Sequence, residues 1–191
     1  MDYKAEKREL RNSIGEEIAA LPEQYIDSSN KGLLLQVTAL PEFIDARNIM
    51  MYFSVEREPA THELAETALS MGKTVAFPLC RREGIMHAHT VSSLDELRPA
   101  VLKIPAPPET APIIAPEDLD LVIVPALMYD NDGYRLGYGG GYFDRYLSGI
   151  TAFTVGLARA RLIKTRMPRE PHDVAVKCVV TESGVRRFQR E

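Results

Sequence analysis

Short apolar runs rich in β-branched residues alternate with segments of helical periodicity along the chain, and this alternation limits the fold more than any other feature. The apolar runs predict buried strands over residues 47–53, 74–78, 85–91, 121–125, 152–157 and 178–181. The spacing of apolar residues predicts helices over 4–21, 30–40 and 59–72. Helices that separate continuously apolar strands indicate a mainly parallel sheet covered on both faces. We therefore expect an α/β fold, with residues 1–191 forming a single domain.

The composition argues against several classes of protein. The 191 residues are 45% hydrophobic, which suits one domain with a substantial core. The net charge of -4 argues against a general nucleic-acid-binding role, and no apolar run approaches the ~20 residues of a membrane span. The N-terminal segment is charged with no apolar stretch behind it, unlike a secretory signal. We expect a cytoplasmic monomer that uses neither nucleic acid nor membrane as a partner.

The cysteines and one pair of histidines are predicted to be structural. Cys80 and Cys178 each lie in an apolar, strand-like segment, so buried reduced thiols are expected rather than a disulfide. His87 and His89 alternate along a predicted strand and could face one way, but no third zinc ligand is evident nearby.

A glycine-rich loop, RLGYGGGYFD (135–144), follows the predicted strand 121–125. Its four glycines leave the backbone free to adopt positive φ and to bring amide groups close to a ligand. A helix predicted from Tyr142 would place its N-terminus at the same point, which favours an anion. The fork of Arg135 suits phosphate, and Asp144 suits either the helix dipole or Mg²⁺. The alternative is a plain turn, since the loop is neither a Walker A loop nor a dinucleotide fingerprint.

Two further charged residues occupy unusual positions. Lys7 continues the apolar stripe of the first helix, with Arg11 bordering that stripe and Arg8 further round. Lys7 either contacts a ligand or snorkels from a helix end. Glu58 precedes Pro59, at the expected N-cap of a helix that follows the strand 47–53. Because Glu is a poor N-cap, its presence hints at another role.

These segments together resemble the 5-formyltetrahydrofolate cyclo-ligases, also called methenyltetrahydrofolate synthetases. The matching motifs are KRELR (7–11), SVEREPAT (54–61), VPALMYD (124–130), RLGYGGGYFD (135–144), HDVAV (172–176) and TE (181–182). The resemblance implies a three-layer α/β/α sandwich with a Rossmann-like sheet. It also implies conversion of 5-formyltetrahydrofolate, ATP and Mg²⁺ into 5,10-methenyltetrahydrofolate, ADP and phosphate. In the implied mechanism the formyl oxygen attacks the γ-phosphate, and nitrogen 10 then closes the ring as phosphate leaves.

The resemblance also implies a role for each site residue. The residues expected to act in catalysis are Lys7, Glu58 and Arg135. The residues expected to bind ATP are Lys7, Arg8, Arg11, Arg135, Leu136, Gly137, Tyr138, Gly139, Gly140, Gly141, Tyr142 and Phe143. The residues expected to line the folate site are Phe53, Glu58, Tyr138, Gly139, Gly140, Gly141 and Tyr142. Asp144 and Asp173 fall where the family places magnesium ligands.

The sequence departs from the family pattern at three positions. Lys177 stands where many relatives carry a second acid, four residues after Asp173. An aromatic residue often precedes the Ile-Pro segment, but Val101 and Leu102 stand there. Gly140 replaces a lysine found in animal relatives.

The basic C-terminal part of the chain gives one further expectation. Residues 158–191 contain nine Lys or Arg against four Asp or Glu. This excess is either a solvated surface or a rim that attracts the acidic glutamate tail of a polyglutamylated folate. Some of five basic residues are expected to form this rim: Arg159, Arg161, Lys164, Arg166 and Arg169. Two other functions remain open: a relative that binds its ligands without turnover, and a generic phosphosugar- or nucleotide-binding α/β module.

Overall fold

The computed structural model describes residues 3–81, 84–100 and 104–188. Within them the helices are α1 (Tyr3–Ala19), α2 (Glu23–Thr38), α3 (Pro41–Asp45), α4 (His62–Ser70) and α5 (Tyr142–Leu147). The strands are β1 (Asn48–Met51), β2 (Thr74–Cys80), β3 (Met86–Val91), β4 (Arg98–Pro99), β5 (Pro105–Ala106), β6 (Ile113–Ile114), β7 (Leu121–Val124), β8 (Met128–Asp130), β9 (Arg135–Leu136), β10 (Phe153–Leu157), β11 (Ile163–Lys164), β12 (Cys178–Thr181) and β13 (Gly184–Arg187).

The central sheet has eight strands in the described part of the chain, in the order β13-β12-β10-β7-β1-β2-β3-β6. Strands β12, β10, β7, β1 and β2 are parallel to their neighbours in this group, and β13, β3 and β6 add antiparallel edges. The predicted mainly parallel sheet is confirmed. Two small sheets, β11-β8-β9 and β4-β5, were not predicted, because strands of two or three residues leave no periodic pattern.

Alternate residues of the central strands enter two separate cores. On β1, Ile49 and Met51 pack in the core that α2, α3 and α4 cover, whereas Met50 packs in the opposite core with Leu147 of α5. The two-residue period of a strand produces this division. Because both faces are covered by helices, the strands are apolar throughout, and the three-layer α/β/α sandwich is confirmed.

Two of the four predicted helices begin elsewhere than expected. α2 begins at Glu23 rather than at residue 30, because Pro22 both follows the end of α1 and occupies the N-cap of α2. α4 begins at His62 with Thr61 as its N-cap, so Pro59 lies in the preceding loop. The expected end of this helix is confirmed, since Gly72 has φ +75 just after it. Among the described helices, none is long and apolar enough to cross a membrane.

One of the two cysteines differs in burial from the sequence expectation. Cys178 is buried as predicted, but Cys80 is exposed, because it ends β2 and points away from both cores. Both thiols are free. His89 is buried, with its Nδ1 2.8 Å from the carbonyl oxygen of Ala111 in the proline-rich segment 104–118. That segment supplies the edge strand β6.

Strands β1 and β7 are neighbours at the point where the chain direction across the sheet reverses. From β1 the chain proceeds to β2 on one side, whereas β7 is followed by β10 and β12 on the other. The loops after β1 and β7 therefore diverge and leave a crevice at the carboxyl ends of the strands, where open α/β sheets bind ligands. Both loops carry predicted site residues.

Candidate active site

A hydrogen bond joins the two loops across the crevice. The hydroxyl of Tyr138, in the glycine loop, donates to the carboxylate of Glu58, in the loop after β1. The other carboxylate oxygen of Glu58 accepts from the amide of Val55 at 2.8 Å. Glu58 therefore does not cap a helix. The N-cap position expected from the sequence was wrong, because the N-cap of α4 is Thr61, three residues further on.

The environment of Glu58 favours its neutral form. Desolvation raises the pKa of this carboxyl above its ordinary value, although the hydrogen bonds from Tyr138 and Val55 oppose the rise. Desolvation of the hydroxyl and the nearby Glu58 raise the pKa of Tyr138, although the residue as a whole is more than half exposed, so the phenol remains a donor. The pair thus combines a proton donor with a carboxyl that is able to accept or donate a hydrogen bond.

The glycine loop has the backbone geometry expected from its sequence. Gly139 has φ +98 and Gly141 has φ +65, values that residues with a Cβ rarely adopt. Side chains hold the loop from two sides. Arg11 donates from Nε to the carbonyl of Gly137 at 2.8 Å, and Arg145 donates from Nη2 to the carbonyl of Gly140 at 2.8 Å. Arg11 of α1 thus contacts the glycine loop, and its role in binding ATP stays a prediction.

The N-terminus of the helix after the loop contributes less to an anion site than the sequence suggests. α5 has only six residues, so its dipole is small and adds little to the attraction of an anion. Tyr142 opens this helix, and its hydroxyl donates to the carbonyl of Arg81 at 3.0 Å. Leu136 and Phe143 pack their side chains into the cores, so Leu136, which is almost fully buried, offers a ligand only its backbone.

Arg135 is buried and held by two acceptors. Its Nη2 lies 2.5 Å from Oδ1 of Asp144, and its Nη1 donates to the carbonyl of Val174 at 2.6 Å. This bridge links β9, the first turn of α5 and the segment that carries Asp173. The structure therefore places Arg135 beside the glycine loop in a fixed orientation, with Asp144 as its ionic partner.

Lys7 points into the protein and pairs with two acids. The residue is 6% exposed, and its Nζ lies 2.7 Å from Asp173 and 3.0 Å from Glu170. The snorkelling alternative is wrong, because a snorkelling amine would reach solvent. Sequence reasoning missed Glu170, although its position three residues before Asp173 is a signal that a local search for acids could use. Arg8, in contrast, lies on the exposed side of α1.

Three side chains near Lys7 form a group with the donor atoms of a metal site. Glu170, His172 and Asp173 each offer one atom, and these atoms all lie within 4.8 Å of one another. Asp144 is not part of this group, but its Oδ1 is 3.4 Å from the amide of Val174, the residue after Asp173. The two predicted magnesium ligands thus lie on adjacent segments, each in its own ion pair, and their role stays a prediction.

Phe53 follows β1 and forms an aromatic wall with its neighbours. Its ring centroid is 4.2 Å from that of His62 and 6.0 Å from that of Phe77. Phe53 is only partly buried, so part of its side chain remains exposed. Sequence reasoning did not identify His62, because this contact depends on where α4 begins.

Residues 3–182 match the 5-formyltetrahydrofolate cyclo-ligase family. The chain belongs to this family. Its relatives include the 5-formyltetrahydrofolate cyclo-ligases of Mycolicibacterium smegmatis (29% identity, covering 92% of this chain and 93% of the relative) and Escherichia coli (28% identity, covering 87% and 94%). The NMR structure of Aquifex aeolicus 5,10-methenyltetrahydrofolate synthetase superposes with a TM-score of 0.86 at 29% identity, covering 97% of this chain and 94% of the other. The predicted enzyme class is thereby confirmed.

The departures from the cyclo-ligase pattern have different outcomes in the structure. Lys177 donates to the carbonyls of Thr151 and Ala152 at 2.9 and 3.0 Å, so it stabilises the approach to β10 rather than the site. A Cβ on Gly140 would meet the Tyr142 ring at 2.9 Å, so a larger residue here requires that ring to move. Val101 and Leu102 lie outside the described residues.

Most of the basic residues predicted to form a rim for a cyclo-ligase substrate are engaged elsewhere. Arg159 is fully buried, so this candidate is excluded from a surface rim. Lys164 pairs with Glu17, and Arg169 pairs with Asp130 and Asp132. The sequence shows the charge of these side chains, but their direction depends on acids that are distant along the chain. Two members, Arg161 and Arg166, remain exposed.

Proposed function

We propose that this enzyme converts 5-formyltetrahydrofolate into 5,10-methenyltetrahydrofolate in a reaction that uses ATP and Mg²⁺ and releases ADP and phosphate. The observation that carries the proposal is the meeting of two unlike half-sites at the carboxyl ends of β1 and β7. One half contains Glu58, Tyr138 and Phe53, and the other contains the glycine loop with Arg11 and Arg135. An enzyme that transfers a phosphoryl group from ATP to a folate needs the two binding half-sites in contact.

The glycine-loop half is suited to phosphoryl transfer. Such transfer needs positioning and neutralisation of charge more than a covalent nucleophile. We propose that the loop amides and Arg11 hold the phosphates of ATP and that Arg135 stabilises charge on the transferring phosphoryl group. The formyl oxygen attacks the γ-phosphate, ADP leaves, nitrogen 10 closes on the activated carbon, and the phosphate departs.

The acids near Lys7 fit a magnesium ion in charge and in donor type. Glu170 and Asp173 carry two negative charges against the single charge of Lys7, and their oxygens are ligands that Mg²⁺ prefers. Arg135 and the amide of Val174 both contact Oδ1 of Asp144, and among the described residues no hydrogen bond takes its Oδ2. We propose that Asp173 and Asp144 hold the ion, which when bound neutralises phosphate charge.

The Glu58 half is suited to a neutral, polar ring system. The raised pKa of Glu58 lets the carboxyl share a proton with the nitrogens or hydroxyl of a pterin. The exposed side of Phe53 offers a stacking surface for an aromatic ring. We propose that Tyr138 leaves Glu58 when the substrate enters, because both compete for the same carboxylate.

The test compares ATP hydrolysis with and without 5-formyltetrahydrofolate and measures 5,10-methenyltetrahydrofolate in the same samples. The expected result is that ADP and the methenyl product form in equal amounts, only when folate, ATP and Mg²⁺ are all present. Binding of both ligands without product would identify a non-catalytic relative. An equal rate of ATP hydrolysis with and without folate would instead indicate a generic nucleotide-binding module.

A further inference from the structure

Arg159 is a fully buried arginine that lies directly behind the loop carrying Glu58. It follows β10 and is 0% exposed. Its Nη2 donates to the carbonyls of Arg57 at 3.2 Å and Glu58 at 3.0 Å. Its Nη1 donates to the side chain of Asn30 at 3.0 Å and reaches the carbonyl of Ile26 at 3.4 Å. One guanidinium thus ties two consecutive carbonyls of the loop to α2.

This arginine has no carboxylate partner within ion-pair distance among the described residues. Desolvation lowers its pKa, and the more distant Glu182 opposes that effect. Burying a cation with only neutral acceptors is costly, since the charge loses its hydration and gains no ion pair. An apolar side chain of similar volume would leave the carbonyls of Arg57 and Glu58 without this donor, so the contribution of Arg159 depends on its fork of donors.

The apex of the loop depends on Arg159 more than its base does. Reciprocal hydrogen bonds between Ser54 and Thr61 close the base, each 3.0 Å long. Near the apex, Glu56 has φ +49, which is strained for a residue with a Cβ. The carbonyls of Arg57 and Glu58 are the points that Arg159 holds, and Asn30 also accepts from the amide of Ala60 at 3.3 Å. The peptide that sets the direction of the Glu58 side chain is therefore fixed from behind.

The charge of Arg159 is not what tunes Glu58. The carboxyl responds to desolvation, to hydrogen bonds from Tyr138 and Val55, and to the charge of Glu56. Arg159 contacts the backbone carbonyl of Glu58 and faces α2 on its other side. Its influence on the carboxyl consequently passes through the position of the peptide.

We infer that Arg159 is a positioning residue for the folate half of the site, acting by fixing the Arg57–Glu58 carbonyls so that the Glu58 carboxyl faces the glycine loop. The inference rests on the proposed function, because it assumes that Glu58 contacts folate. It assigns Arg159 to recognition of folate and leaves recognition of ATP to other residues.

The experiment uses Arg159→Lys, which keeps a cation but replaces the two-nitrogen fork by one nitrogen. We expect KM for 5-formyltetrahydrofolate to rise by about tenfold or more, since small displacements of a binding group have large effects, while KM for ATP stays nearly unchanged. In a Glu58→Gln background the same substitution should add little, because both changes remove one interaction. Asn30→Ala, which leaves Arg159 in place, should shift KM for folate in the same direction by less, and serves if the arginine variant does not fold.

Lys73→Met is the matched control. Lys73 also ties two carbonyls, those of Ile44 and Ala46 at 2.8 and 2.7 Å, away from both half-sites. It should lower melting temperature and leave both KM values unchanged.

The positioning role would be overturned if Arg159→Lys had equal effects in the wild-type and Glu58→Gln backgrounds. Parallel rises of the KM values for folate and ATP would also overturn it. A wild-type protein without turnover of 5-formyltetrahydrofolate would overturn the proposed function instead, and a Glu58→Gln variant with unaltered folate KM would overturn the role of Glu58 and this inference together.

Discussion

The two halves of the site handle charge in opposite ways. In the glycine-loop half, buried cations meet acids directly: Lys7 pairs with Asp173, and Arg135 pairs with Asp144. In the Glu58 half, the acid has a phenol and an amide as partners, and the nearby cation Arg159 meets carbonyls. In the first half the buried cations are in ion pairs, and in the second both the acid and the cation have uncharged partners.

This difference matches the chemistry proposed for each half. Ion pairs are able to exchange partners when a polyanion and a divalent cation arrive together, since the basic side chains can turn to the polyanion and the acids to the cation. A desolvated carboxyl held by its backbone instead offers a fixed direction to an uncharged ring. Substitutions in the first half should therefore affect ATP use and stability, and those in the second should affect folate use and pH dependence.

The largest expected effect is on turnover in Arg135→Ala. The change removes a buried, oriented cation beside the loop and leaves Asp144 without its partner. We expect a loss of about 3 kcal/mol or more in kcat/KM, comparable with loss of a preorganised donor to a transition state. Steady-state kinetics measure this loss, with Arg187→Ala, which breaks a remote pair with Glu42, as control. Near-normal turnover would contradict the assignment.

The next effect is on the stability of Lys7→Ala. Two poorly exposed carboxylates would lose their common cation, and breaking such a pair typically costs about 3 kcal/mol or more. Lys164→Ala is the matched control on the same ion-pair chemistry, because Lys164 and Glu17 are 32% and 41% exposed and such pairs contribute at most about 1 kcal/mol. Urea unfolding measures both. Equal losses of unfolding free energy in Lys7→Ala and Lys164→Ala would contradict the expected difference between buried and exposed ion pairs.

A smaller effect, confined to folate, is expected for Glu58→Gln. The amide keeps the size of the side chain but is unable to carry the charge or exchange the proton of the carboxyl. KM for folate should rise while KM for ATP changes little, as measured by varying each substrate at saturation of the other. A variant with equal losses for both substrates would show that the two halves do not act separately.

The same variant tests the raised pKa of Glu58 through the pH dependence of stability. Because the folded pKa is raised, the folded protein binds more protons than the unfolded chain between the ordinary carboxyl value and the raised one. Stability therefore falls as pH rises through that window, and Glu58→Gln should remove this fall. Glu42, whose pKa is lowered by its hydrogen bond with Arg187, should show the opposite: its contribution is lost as pH falls through the lowered pKa.

The smallest effect concerns the exposed residues that remain of the basic rim. Arg161 stacks on Tyr25 and Arg166 is exposed, so an acidic tail could reach either. Exposed ion pairs contribute only ~0.2–1 kcal/mol each, and salt screens them. A lower KM for polyglutamylated than for monoglutamylated folate at low salt would support the rim. Equal KM values for the two folates there would contradict it.

The sequence by itself determined the sheet, its helices and the glycine loop. Each of these follows from local patterns: the apolar runs that became β1 and β7, and glycines that became the positive-φ residues Gly139 and Gly141. The order of the elements also placed the loops after β1 and β7 at one edge of the sheet. Such features depend on residues that are close along the chain, so periodicity and composition reveal them.

Only the tertiary structure decided which polar groups meet. Lys7 reaches Glu170 across 163 positions, Tyr138 reaches Glu58 across 80, and Arg159 reaches Asn30 across 129. From sequence, Arg159 had the same charge as its exposed neighbours and was assigned to the surface. Its burial follows from the way β10 ends against α2 and the loop after β1. Whether a charged side chain is solvated or buried depends on contacts that no local pattern encodes. The fold sets the environment of the side chain, and that environment determines the free-energy cost of burying its charge.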